Sequence, residues 1–80
     1  MRTDICACED TEVQTALLEA LGAVGAAPED DVALDVPLPT GLLRFRAGGS
    51  VLTVFTDAWG VDLEGPDQLV KRVVAEMAAP

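Results

Sequence analysis

Two cysteines stand one residue apart near the start of the chain, in Cys6-Ala7-Cys8, and three acids follow at once, Glu9, Asp10 and Glu12. Thiolates bind soft metals and exchange disulfides. A structural zinc site needs four ligands, and this 80-residue chain has two cysteines and no histidine. A dimer could pool four thiols, and monovalent copper could accept two, so a Cys-X-Cys metal or thiol carrier is one reading of Cys6 and Cys8. On an extended strand their Cα atoms would lie ~6.5–7 Å apart, long for a disulfide. The plainer reading is that "CAC" ends a strand with small, buried side chains and "EDTE" opens a helix. With neither histidine nor tyrosine, no nucleophile–base pair can be assembled in the usual way. An enzyme is therefore not expected, and no cofactor is implied.

The acids are the other chemical resource. The formal net charge is −9. Residues 1–43 carry nine acids against one base, and residues 44–80 carry five against four. Glu9, Asp10, Glu12, Glu29, Asp30, Asp31 and Asp35 make the first half a candidate negative surface, able to steer a basic partner by its field. Spaced carboxylates can stand in for phosphates, so an inhibitor or nucleic-acid mimic that meets a nucleic-acid-binding protein is the leading expectation. Direct nucleic-acid binding would need a basic patch and is not expected. The acids lack the spacing of a twelve-residue calcium loop. Asp57, Asp62 and Glu64 make at most an incidental cation site. No apolar run approaches the ~18 residues of a membrane span, and "MRTDICAC" has no apolar leader core, so a cytoplasmic, non-membrane setting is expected.

These side chains need elements to hold them, and 80 residues suffice for one small domain. Residues 3–8 suit a short strand. Thr11 with Gln14 fits a capping box at a helix start. Val13, Ala16, Leu17, Ala20, Leu21 and Val24 then recur at helical spacing. "VALDV" at 32–36 alternates like a strand, after a solvated loop at 29–31. Gly48-Gly49 sits between two alternating runs and suits a two-residue primed turn with positive φ at both glycines, which predicts a hairpin in which Ala47 faces Ser50, Phe45 faces Leu52 and Leu43 faces Val54. "DAWGVDLEGP" reads as a loop or strand end. Pro66 opens a last helix whose apolar stripe is Leu69, Val70, Val73, Val74 and Met77. The expected fold is an α+β two-layer sandwich in the order β-α-β-β-β-α, a three- to four-stranded sheet with two helices on one face. A right-handed crossover through the first helix would set the first two strands parallel.

Two helices cover one side of such a sheet only. The hairpin register leaves Leu42, Arg44, Arg46, Val51 and Phe55 on the other side, an apolar and cationic mixture like that of an interface. A structural or regulatory subunit, or a homodimer joined through this sheet face, is the alternative to the acidic-surface reading. Trp59 is the one tryptophan, and its position after a strand suggests that it closes the end of the core, with an exposed binding anchor as the alternative. "TDAWGV" at 56–61, with an amphipathic helix after it, resembles the close of a family of small uncharacterised cyanobacterial and plastid-encoded proteins. The resemblance covers about the last third of the chain. It implies a plait-like α+β fold and no particular activity.

Overall fold

The computed structural model describes residues 1–29 and 35–78. Its elements are β1 (Arg2–Cys6), α1 (Thr11–Ala23), β2 (Ala27–Pro28), β3 (Gly41–Ala47), β4 (Ser50–Thr56), β5 (Val61–Glu64) and α2 (Asp67–Ala78). The strands form one antiparallel sheet in the order β1-β5-β4-β3-β2. The α+β class stands, with five strands in place of three or four. β1 and β2 run in the same direction, but at opposite edges of the sheet with three strands between them. The chain crosses by way of α1 and returns as the meander β2-β3-β4-β5. The strand expected at 32–36 lies mostly outside the described residues, and Asp35 and Val36 belong to no strand.

The β3–β4 hairpin has the register that alternation dictates, with Ala47 opposite Ser50, Phe45 opposite Leu52 and Leu43 opposite Val54. Only the first turn residue departs from the ordinary backbone region, Gly48 at φ +61°. A single positive φ at the first central position fits a type II′ turn, so the expectation of positive φ at both glycines is corrected. Phe45, Leu52 and Val54 face inward with Val61 and Leu63 of β5 and join Leu17, Ala20 and Leu21 of α1 and Val70 and Val73 of α2 in one core. Val74 is 42% exposed and drops out of the expected stripe. It lies one residue past Val73, rotated away from the sheet by the ~100° step of the helix.

The start of α1 differs from the expected capping box. Asp10 is the N-cap, and its carboxylate accepts from the Val13 amide at 3.2 Å. Gln14 is thereby released from capping and is completely buried. Its side-chain Nε2 donates to the Cys8 carbonyl at 2.9 Å and to the Ala7 carbonyl at 3.5 Å, and its Oε1 accepts from the Leu38 amide at 2.7 Å. One side chain thus ties the end of the first strand to the segment that leads back into the hairpin. Leu38, held by that bond, is buried in the core.

A buried backbone group left without a partner costs about 1–3 kcal/mol. Gln14→Ala strands both the Leu38 amide and the Cys8 carbonyl, so a loss of roughly 2–4 kcal/mol is expected in denaturant melts. Asp10→Ala should cost about 1 kcal/mol, and Thr11→Ala less than about 0.5 kcal/mol. Equal losses for Gln14→Ala and Thr11→Ala would contradict this assignment of roles.

Candidate functional site

β1 ends two residues earlier than expected, at Cys6, where its partner β5 begins at Val61, and a bulge interrupts the pairing just before that end. Asp4 faces Asp62 and Cys6 faces Val61, so two steps on β1 match one on β5. The extra residue breaks the in-out alternation, and both Ile5 and Cys6 pack against the core. The two cysteines therefore do not share a strand face. Cys6 Sγ–H points at the Asp10 carbonyl at 3.9 Å. Cys8 lies in the turn beyond the strand, and its Sγ–H donates to Glu9 Oε2 at 3.1 Å and to the Ala58 carbonyl at 3.4 Å. Burial, then the Asp10 charge, raises the Cys6 thiol pKa. The hydrogen bond to Glu9 raises that of Cys8. Both effects disfavour the thiolate, the form that binds metal or attacks. Among the described residues no three Cys, Asp or Glu side chains converge as a metal site.

The Cys8–Ala58 contact brings the bulge up against the β4–β5 turn. Asp57 organises that turn: its Oδ1 accepts from the Trp59 amide at 2.8 Å and the Gly60 amide at 3.0 Å, while its own amide donates to the Gly60 carbonyl at 3.0 Å. Gly60 passes so close to β1 that a Cβ there would lie 2.6 Å from the Cys6 carbonyl oxygen, so no other residue fits without movement. This turn carries Trp59 outward, and its side chain is not a plug for the core: the residue is 89% exposed. The backbone hydrogen bonds of the turn, not burial of the indole, decide where Trp59 sits. Between the turn and the bulged strand lies a groove of about 470 Å³, lined by Asp4, Ile5, Cys6, Asp57, Trp59 and Asp62 among others.

Three carboxylates, of Asp4, Asp57 and Asp62, thus line a groove beside an exposed indole. Asp4 and Asp62 are cross-strand neighbours, and the hydrogen bond and charge of Asp62 raise the pKa of Asp4. Arg2 partly offsets that repulsion: its guanidinium binds Asp62 at 3.0 Å and lies 4.2 Å over the Phe55 ring. Glu9 stands at the same end of the molecule through its bond to Cys8, which lowers its pKa.

The acids expected to act together are spread more widely. Asp10 is engaged as the N-cap and Glu12 is exposed in the first turn of α1. Glu29 is ion-paired to Arg46 across the β2–β3 edge. Asp35 is exposed, and Asp30 and Asp31 lie outside the described residues. The division of charge along the chain does not carry over into space, because β5 brings Asp62 and Glu64 beside Arg2 and Asp4. Of the incidental trio, Asp57 and Asp62 line the groove and Glu64 does not. Comparison with protein-family profiles, with curated proteins and with solved structures finds no match for this chain.

The Asp4–Asp62 pair has a pH signature. A carboxyl whose pKa is raised by folding binds its proton more tightly in the folded state. Ionised Asp4 therefore costs stability above its folded pKa, and the cost vanishes as pH falls below the unfolded value. Asp4→Asn should melt at a higher temperature than the parent near neutral pH, and the gap should close as the carboxyls protonate, at about pH 3. A gap that is constant with pH would show that Asp62 is not the cause.

Proposed function

We propose that the chain is a non-enzymatic interaction module that receives a basic protein segment in the groove beside Trp59. The observation that carries this reading is the indole, 89% exposed on a turn pinned by Asp57, at the rim of a groove lined by Asp4, Asp57 and Asp62. An indole face attracts a guanidinium or ammonium group, and flanking carboxylates supply charge-assisted acceptors for the same group. Exposed tryptophans are costly to leave in water and are enriched among residues that dominate interface energies. Arginine suits this site better than lysine, because its planar head stacks on a ring while its N–H groups bind carboxylates. The net charge of −9 draws a basic partner in from outside and favours fast encounter. An inhibitor that occupies the nucleic-acid-binding surface of such a partner fits this chemistry, with the groove carboxylates in the places of phosphates.

The single tryptophan makes the test direct, since all indole fluorescence comes from the site. Titration with an arginine-rich peptide should shift Trp59 emission in a saturable manner, and added salt should weaken binding steeply. Trp59→Ala, followed by calorimetry, should weaken binding by about 30-fold, the loss of ~2 kcal/mol typical of an anchor. Asp57→Asn should weaken it less. Emission that ignores the peptide, or responds equally to an acidic one, would sink the proposal.

A further inference from the structure

The sheet face opposite the helices carries a charge pattern of its own. Strand pairing sorts its side chains into rows that run across the strands. One row reads Asp4, Asp62, Phe55, Leu42 from β1 to β3. The next reads Arg2, Glu64, Thr53, Arg44, with Glu29 beyond β3, its amide bonded to the Arg44 carbonyl. The third holds Val51, Arg46 and Ala27. The middle row is therefore positive, negative, neutral, positive, negative about Thr53 of β4. Turned end for end, it becomes its own complement.

We propose that this face joins two copies of the chain about a two-fold axis that runs along β4. That rotation keeps each row level with itself and exchanges the two sides of β4. Glu64 of each copy then meets Arg44 of the other, Arg2 meets Glu29, and Phe55, Thr53 and Val51 meet their own counterparts. The alternative axis, across the strands through the middle row, sets Arg44 on Arg44 and Glu64 on Glu64, and like charges across an interface are strongly disfavoured. The self-complementary row is what selects a second copy as the occupant, since a uniformly basic partner would meet Arg2, Arg44 and Arg46. Among the described residues no carboxylate pairs with Arg44 or cation with Glu64, whereas Arg2 and Arg46 already hold Asp62 and Glu29. Leu42 is 49% exposed and Phe55 and Val51 are half-buried, which supplies apolar area to the centre. The five strands, spaced ~4.8 Å apart and from two to seven residues long, offer roughly 400 Å² of face, so a dimer would bury about 800 Å², the size of a weak, transient interface.

The rotation makes a demand that charge exchange can test. Arg44→Glu sets its new carboxylate against Glu64 of the other copy, twice in a dimer. Glu64→Arg likewise sets its new guanidinium against Arg44 twice. Each single variant should sediment as a monomer at concentrations where the parent is a dimer. Mixed in equal amounts, the two variants should recover the dimer, because a mixed pair sets only opposite signs together. The double variant Arg44→Glu, Glu64→Arg should dimerise by itself. Arg44 and Glu64 are both exposed on the sheet, and circular dichroism of each variant checks that the fold persists, with the double variant as the control for both singles. A parent that stays monomeric, single variants that dimerise like the parent, or a mixture that does not recover association would each overturn the proposal. These residues do not line the Trp59 groove, so peptide binding by the single variants separates this outcome from that of the groove.

Discussion

The pairing of β3 with β4 fixes what every other part of the sheet can do. Side chains alternate with a period of two, so a slip of β3 by one residue would carry Phe45 into solvent and Arg44 and Arg46 into the core. Burying two arginines without partners is far costlier than any gain the slip could bring. β4 then serves as the template for β5, with Val54 beside Leu63 and Phe55 beside Asp62. β5 in turn sets β1, with a bulge at Ile5 shifting the register before the last pair, Cys6 with Val61. The inner core, the charged rows of the outer face and the position of the groove are all consequences of that first register.

Helix coverage follows from the same division. α1 and α2 both pack on the inner side, where the core residues lie in one cluster. The outer side is covered by no element among the described residues, and it keeps its apolar side chains in water only under partial shelter. Arg2 lies across Phe55, and the long arginine stems of β3 lie beside Leu42 and Val51. Gln14 performs the matching task at the end of the sandwich. It satisfies backbone groups on both sides of the first helix at once, so the segment through Leu38 enters the core without leaving an amide unpaired.

The hairpin is legible in the sequence because two signals agree there, a Gly-Gly pair and uninterrupted alternation on both flanks. β5 is not, because Val61-Asp62-Leu63-Glu64 is only four residues long and follows "DAWG", whose turn chemistry masks a strand that begins at once. Alternation within those four residues is the signal available. The helix cap falls one residue before the expected Thr11, since Asp10 and Thr11 are both good N-caps and only tertiary packing chooses between them. Choosing Asp10 is what frees Gln14, and a glutamine on an otherwise apolar stripe is the trace of that choice. The size of Trp59 argues for a place in the core. The Asp57 side chain, two residues before it, carries the contrary signal, because an aspartate that caps the next amides makes a tight turn and pushes the intervening side chains outward. The bulge at Ile5 leaves no mark in the sequence, and with it the separate fates of the two cysteines stay hidden.

Charge acts on this molecule at two ranges, and they favour different partners. At separations up to the ~8 Å screening length of physiological salt, before the surfaces touch, the net charge of −9 dominates, and it repels a second copy while it attracts a basic protein. At contact, the alternation along the middle row of the sheet dominates, and it is this pattern that the proposed dimer would use. Encounter and docking are therefore governed by separate features. The groove beside Trp59 adds carboxylates to the long-range field and lies at the end of the sheet where the turn projects, whereas the pairs of Arg44 and Glu64 lie on the flat of it. In the proposed groove complex, a basic segment would be drawn by the whole surface and held by one indole and its aspartates. In the proposed dimer, a second copy would first be brought close against the field and then be held by a pattern that a uniformly basic partner does not match.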